Sequence, residues 1–197
     1  MKIFVQSDPH GQMKLLQKTL NEVKNGNYDV FLGLGDFINQ RYFAQLVTNL
    51  DVDKKAFIMG NWDHGLKGTP YLKDFEKFDY DGTRFVLMGS VDFGNLKKKI
   101  LDACGDVDGK NLIIGTHEPP HRARDEIHSG QRVGVPEFRE IIEEKQPLLW
   151  LCGHIHEAEG VSMLGDTKVI NASAYKGSIG YSVEVEDGEI KNVKKVE

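Results

Sequence analysis

Along this chain, short unbroken apolar runs alternate with stretches whose apolar residues recur every three or four positions. Residues 2–7 (KIFVQS) form the first run, which stops at Asp8-Pro9-His10-Gly11. In the QMKLLQKTLNEVKN that follows, Leu15, Leu16, Thr19, Leu20 and Val23 share one face at helical spacing. Residues 28–36 (YDVFLGLGD) are a second run closed by Gly and Asp, and YFAQLVTNL after it reads as helix. A third run, 54–65 (KKAFIMGNWDHG), ends in a polar cluster; 83–90 (TRFVLMGS) and 111–120 (NLIIGTHEPP) repeat the form. PEFREIIEEKQ (136–146) predicts a helix with Pro at its start, where the missing N–H is not needed. PLLWLCGHIHE (147–157) closes the series. From Val161 the pattern changes to short alternating strands with turns at Leu164-Gly165-Asp166-Thr167 and Glu186-Asp187-Gly188-Glu189.

Strand and helix therefore alternate, with strands alone at the end: an α/β fold. Unbroken apolar runs suit strands covered on both faces. Ligands of such sheets bind beyond the carboxyl ends of the strands, which is where the polar clusters fall. No linker, repeat or low-complexity segment divides the 197 residues, so one domain spanning 1–197 is expected.

Composition changes this picture little. The chain is 40% hydrophobic and 28% charged, ordinary for a soluble globular protein, and long enough to bury a core without staples. Its formal net charge of −5 argues against a dedicated binder of long nucleic acid but not against a phosphate ligand, because bound metal supplies positive charge locally. Cys104 and Cys152 are the two cysteines, both in apolar surroundings and outside any CxxC pair. With no apolar stretch approaching a signal peptide or a membrane span, they point to a reducing compartment, and the expected location is cytoplasmic.

Five run ends carry metal-ligand chemistry: Asp8-Pro9-His10, Gly35-Asp36, Gly60-Asn61-Trp62-Asp63-His64, Gly115-Thr116-His117 and Gly153-His154-Ile155-His156. Any one alone could be a turn, and Asn61 alone could cap the next segment. Five in order at strand ends point to a site. Asp8, His10, Asp36, Asn61, His117, His154 and His156 offer mixed oxygen and nitrogen ligation with no thiolate. That set suits Mn, Fe, Co, Ni or Zn better than Mg or Ca. Two metals about 4 Å apart can stabilise attack and departure at phosphorus. Asp36 is the expected bridge, because a carboxylate has two oxygens that can serve both ions and this one is expected on a central strand.

The ordered series D-x-H, G-D, G-N, G-x-H and G-H-x-H resembles the calcineurin-like metallophosphoesterase superfamily, and the wording THEPP and CGHIHE is similar to a small prokaryotic branch of it. The resemblance spans residues 8 to 156. It implies a four-layer α/β/β/α sandwich with a dinuclear site on one edge. Asp8, His10, Asp36 and His156 would take the first metal, with Asp36, Asn61, His117 and His154 on the second; manganese is the expected ion. It further implies a phosphoesterase working through a metal-activated hydroxide. A phosphodiester is favoured over a monoester because a compact chain without a large cap leaves the site open. One departure stands out. Many family members follow the Gly-Asn with a His that protonates the leaving group; here Trp62 holds that place, and His64, two residues on, is the candidate acid.

The basic loop 121–134 offers candidate substrate contacts in His121 and Arg122, with Arg124, His128 and Arg132 behind them, and Asn61 could touch substrate as well as metal. Asn39 and Arg41 have a similar standing. Trp62 suits a site wall or a stacking surface, Trp150 and Cys152 the core, and Lys97–Lys98–Lys99 a solvated helix face. The competing readings are a scaffold on the same fold, the role of a retromer subunit with an eroded ligand set, and a metal-dependent nuclease. A small phosphorylated substrate, rather than a membrane or a long nucleic acid, is the expected partner. The sequence assigns no oligomeric state.

Overall fold

The structure, a computed structural model, describes residues 1–90 and 94–197. Twelve strands and four α-helices follow one another among them. The first half runs β1 (Lys2–Gln6), α1 (Met13–Gly26), β2 (Val30–Gly33), α2 (Gln40–Asn49), β3 (Lys54–Ile58), β4 (Leu72–Lys73), β5 (Phe75–Tyr80) and β6 (Thr83–Met88). The second half runs α3 (Leu96–Cys104), β7 (Leu112–Thr116), α4 (Pro136–Lys145), β8 (Leu149–Cys152), β9 (Gly160–Leu164), β10 (Thr167–Asn171), β11 (Gly180–Glu186) and β12 (Glu189–Val196).

The strands assemble into two six-stranded mixed sheets, in the orders β12-β11-β1-β2-β3-β4 and β5-β6-β7-β8-β10-β9. In the first, β1, β2, β3 and β4 are parallel, while β11 runs antiparallel to β1 and to β12. In the second, β6, β7, β8 and β10 are parallel, with β5 and β9 antiparallel on the edges.

Strand alternation sorts the side chains into three cores. Ile3, Val5, Val30, Leu32, Ala56 and Ile58 of the first sheet meet Phe85, Leu87, Ile113, Leu149 and Leu151 of the second between the sheets. The intervening Phe4, Phe31 and Phe57 point the other way, against Leu16, Val23, Phe43 and Leu46 of α1 and α2. On the far face Val86, Met88, Leu112, Ile114 and Trp150 pack on Ile100, Phe138 and Ile141 of α3 and α4. Helices, sheet, sheet and helices form the four expected layers. Unbroken apolar runs are what such strands require, since both faces are dry.

Both predicted terminal turns join hairpins, β9–β10 and β11–β12. Asp187 and Gly188 both take positive φ (52° and 71°), the conformation that matches strand twist in a tight hairpin. A third hairpin, β5–β6, closes at Asp81 and Gly82 in the same way, with φ 48° and 72°. Its second strand, β6, is the apolar run 83–90, but the apolar pattern leaves β5 (FEKFDY) unassigned, because it mixes charge and aromatics on a sheet edge. Cys152 lies in the helix-side core beside Trp150, with its Sγ 3.6 Å from the Ile170 carbonyl oxygen. Both cysteines are buried and unpaired, and burial pushes the Cys104 thiol up to about 11. Trp150 Nε1 donates to Thr116 Oγ1 at 3.0 Å, so its one polar atom is satisfied in the core. Among the described residues no helix is long and apolar enough to cross a membrane.

Phe57 sits where Phe31, Phe37 and Phe43 meet, with ring centroids 5.3 to 5.8 Å away. Phe57→Ala is expected to cost about 3–5 kcal/mol in urea unfolding, since the rigid neighbours cannot close the void.

Candidate metal centre

The carboxyl ends of β1, β2, β3, β7 and β8 bring the five polar clusters together. Asp8, Asp36 and His117 are buried there, while His10, Asn61, His154 and His156 are half-buried. The backbone turns sharply at several of these positions. Asp8, His10, Asp36 and His154 take φ of 56°, 45°, 59° and 66°, a left-handed conformation that costs a residue with a Cβ about 1–3 kcal/mol. Asp36 thus stands in a turn three residues past β2, rather than on the strand.

The recurring glycines have a steric cause. A Cβ on Gly60 would overlap Asp36 Oδ1, and one on Gly153 would overlap Ser7 Oγ and Asp8 Oδ2. The strand ends approach so closely there that Gly60, beside Asn61, and Gly153, beside His154, have no room for a side chain.

Two donor sets result. In one, His10 Nε2 and His156 Nε2 are 3.0 Å apart, and His156 Nε2 is 3.4 Å from Asp8 Oδ1. That Asp8 oxygen is buried and has no hydrogen-bond partner, while Oδ2 accepts from the His154 N–H and from Ser173 Oγ. In the other, Asn61 Oδ1 lies 2.9 Å from both His117 Nε2 and His154 Nδ1, which are 3.3 Å from each other. Asp36 lies beside this second set, with Oδ2 3.6 Å from His117 Nε2, and its Oδ1 accepts from the Trp62 N–H. The groups Asp8, His10, His156 and Asp8, Asp36, His117 each bring their ligand atoms within 4.8 Å of one another.

These residues fit divalent cations. His117 Nδ1 is 2.7 Å from the Leu34 carbonyl, so Nδ1 carries the proton and donates it. In the neutral ring Nε2 is then a lone pair facing the Asn61 side-chain amide, a position that a cation can fill. In the metal-free protein a proton takes that part. Burial disfavours the charged His117 ring, but the Asp8 and Asp36 carboxylates outweigh it and hold its pKa above the usual value. Asp36 is raised to about 6, chiefly by burial, with the His117 charge opposing. Burial also acts to raise Asp8, yet the His156 ring beside it and the His117 charge hold it well below the usual carboxylate range. His156 is raised by the Asp8 carboxylate beside it; His10 and His154 are lowered, first by burial.

Two supporting residues were not foreseen. Asp63 is fully buried and accepts from the backbone N–H groups of Asp36, Ile38 and Gly60 at 2.8, 2.8 and 2.9 Å. It ties the Asp36 turn to the Asn61 turn. Asn171, at the end of β10, donates to the Gly153 and Ile155 carbonyls and so holds the His154–His156 turn. An acid two residues past Asn61, and a polar residue closing the apolar run KVIN, were the available signals.

The remaining candidates are less central. His64 is exposed on a one-turn 3-10 helix, Asp63–Leu66, and among the described residues no hydrogen bond joins its side chain to the ligand cluster. Trp62 is 65% exposed at the edge of the cluster. His121 faces Asp125 at 3.4 Å, Arg132 bridges Asp125 and Glu126, and Arg124 donates to the Glu159 and Val161 carbonyls. These contacts knit the 121–134 loop together. Arg122 is exposed and lines a cavity of about 400 Å³ behind Glu157 and Ala158. Asn39 caps α2, accepting from the Arg41 and Tyr42 N–H groups.

Two helix-flanked mixed sheets with histidine, carboxylate and amide donors at one edge define a metallophosphoesterase architecture. A family model described as calcineurin-like phosphoesterase matches residues 1–158, and the chain belongs to that family. Among curated proteins, a UPF0046 protein of Caenorhabditis elegans is 25% identical over 210 residues, covering 88% of this chain and 69% of its own. The chain spans about half the length of two others, 50% of an uncharacterized protein of Methanocaldococcus jannaschii and 53% of a second nematode UPF0046 protein. Among solved structures, a dimetal phosphatase from Danio rerio superposes with a TM-score of 0.66 at 12% identity, over 95% of this chain and 93% of that one. The subject of a structural and functional characterization of a novel archaeal phosphodiesterase superposes with 0.55 at 15%, over the whole of both chains. At these identities the likeness bears on the fold.

Loading such a site displaces protons from Asp36, His117 and His156. Mn²⁺ affinity measured by calorimetry is therefore expected to rise with pH. Below about pH 6, where Asp36 holds its proton, it should fall by about tenfold per pH unit for each proton displaced. A flat profile between about pH 5 and 8 would contradict this assignment.

Proposed function

We propose that the chain is a phosphoesterase that holds two divalent ions and hydrolyses phosphodiesters in preference to monoesters. The observation that carries this reading is the pair of donor groups that share Asp8 at one sheet edge, Asp8 with His10 and His156 and Asp8 with Asp36 and His117. Asp8, His10, His156 and one Asp36 oxygen would hold the first ion. Asn61, His117, His154 and the other Asp36 oxygen would hold the second. The nitrogen-and-oxygen set without thiolate suits Mn²⁺, with Fe, Co, Ni and Zn in the same chemical range. When bound, such a pair supplies Lewis acidity at phosphorus and makes a water molecule acidic enough to attack at neutral pH.

The chain's own residues do the rest. Two carboxylates against two divalent ions leave roughly two positive charges, which draws a phosphate to the edge. His117 is fixed by Leu34 and Asp36 by Asp63 and Trp62, so the donors reach the reacting geometry without rearranging. The exposed Trp62 ring walls one side and keeps water from the leaving group. His64, one turn past Asn61, is the proposed donor of a proton from its imidazole N–H to the leaving oxygen. His10, Asn61, His154 and His156 are only half-buried, which gives a phosphate with two ester substituents access to the edge. The net charge of −5 favours a small phosphorylated substrate over long nucleic acid. The two buried, unpaired cysteines support a cytoplasmic location.

Chelator-stripped protein restored with Mn²⁺ is expected to cleave bis(p-nitrophenyl) phosphate faster than p-nitrophenyl phosphate. Asp36→Asn, which keeps the shape and loses the charge, should lower the diester rate at least about a hundredfold. Preference for the monoester would overturn the substrate class; no cleavage of either ester by the Mn²⁺-loaded protein would overturn the enzymatic reading. His64→Gln should cost little with p-nitrophenolate, a good leaving group, and about a hundredfold with an alkyl leaving group. Equal losses across a leaving-group series would exclude His64 as the acid.

A further inference from the structure

Beside the His10–His156 donor set lies a second concavity, of about 360 Å³. One wall is the start of α1, which leaves the site directly after His10 and contributes Gln12, Lys14 and Lys18. The other is the turn after β10, contributing Tyr175, Lys176 and Ser178. The Tyr175 ring joins it to the metal centre: its centroid is 6.0 Å from that of His156, and Lys176 Nζ lies 5.1 Å over the same ring.

The charge of this concavity is unlike that of the rest of the chain. The protein has 30 acidic residues against 25 lysines and arginines, yet no acid lines this wall. Lys14, Lys18 and Lys176 are exposed, and none forms an ion pair among the described residues. The contrast with the Arg122 cavity is direct, because there Arg132 is neutralised by Asp125 and Glu126. Three unpaired ammonium groups around one hollow raise its potential and attract a multiply charged anion. Their donors can close on phosphate or carboxylate oxygens by rotating flexible stems.

From this we infer that the substrate carries a second anionic group, phosphate or carboxylate, separate from the phosphorus that is hydrolysed, and that Lys14, Lys18 and Lys176 hold it. The inference rests on the phosphoesterase reading for what lies at the metal centre. Tyr175 separates the two anionic positions and offers a ring face to whatever part of the substrate links them. The lysines are specificity residues: they select the substrate and take no part in bond breaking.

The test uses two chromogenic diesters that differ by one phosphate: thymidine 5′-(p-nitrophenyl phosphate) and its 3′-phosphorylated form. With Mn²⁺-loaded protein, the 3′-phosphorylated ester is expected to show about tenfold higher kcat/KM, through KM, in an effect that shrinks as salt is added. The K14Q/K18Q/K176Q variant should lose that preference and keep the wild-type rate on bis(p-nitrophenyl) phosphate. No preference in the wild type, or one that survives in the variant, overturns the inference. If the protein cleaves no ester, the phosphoesterase reading has failed and binding alone decides. Thymidine 3′,5′-bisphosphate binding about tenfold tighter than thymidine 5′-phosphate to the wild type by calorimetry, with the triple variant binding both alike, would support the pocket. Equal affinities for the wild type would overturn it.

Discussion

The architecture depends on keeping two carboxylates, Asp8 and Asp36, out of water within reach of four imidazoles. Burial of a carboxylate is unfavourable, and Asp36 registers this as a pKa near 6. Asp8 responds in the opposite direction, because His156, the His154 N–H and Ser173 all stabilise its charge. Neighbouring carboxylates with opposed responses, and an Asp8 oxygen that no protein group satisfies, describe a cavity shaped for cations. The positive φ angles at Asp8, His10, Asp36 and His154 are the conformational cost of this crowding, and the three cores supply the rigidity that sustains it.

Rigidity reaches the site through a few buried polar ties. Asp63 clamps the turns after β2 and β3 by accepting three backbone N–H groups. Asn171 clamps the turn after β8. Leu34 orients His117 from the neighbouring sheet, so the donor sets are built across the gap between the sheets. Loss of the Asp63 tie would loosen the turns of Asp36 and Asn61 at once. Asp63 anchors the turn that bears Trp62 and His64, but those two side chains are exposed on either side of it and are the least constrained near the site.

Much of this was legible in the sequence. The strand runs were readable because both faces of each central strand are dry, and the candidate ligand positions because each falls just past the end of such a run. The four-layer arrangement followed from the family resemblance; periodicity alone supports only an α/β sheet. What escaped had specific causes. The hairpin of β5 and β6 mixes charges into an edge strand and breaks the apolar pattern. Asp63 and Asn171 act through backbone groups distant in sequence, so no local spacing marks them. The 121–134 loop has the composition of a phosphate-binding segment, but its arginines and acids answer one another across the fold. The lysines flanking Tyr175 come from two segments more than 150 residues apart, and only the packing of α1 against the turn after β10 joins them.

Anomalous diffraction at the manganese edge, from crystals of the Mn²⁺-loaded protein, tests the central claim most directly. The account predicts two peaks about 4 Å apart with Asp36 between them, one bounded by Asp8, His10 and His156 and the other by Asn61, His117 and His154. A single peak, or none in that cluster with Mn²⁺ in excess, would contradict it.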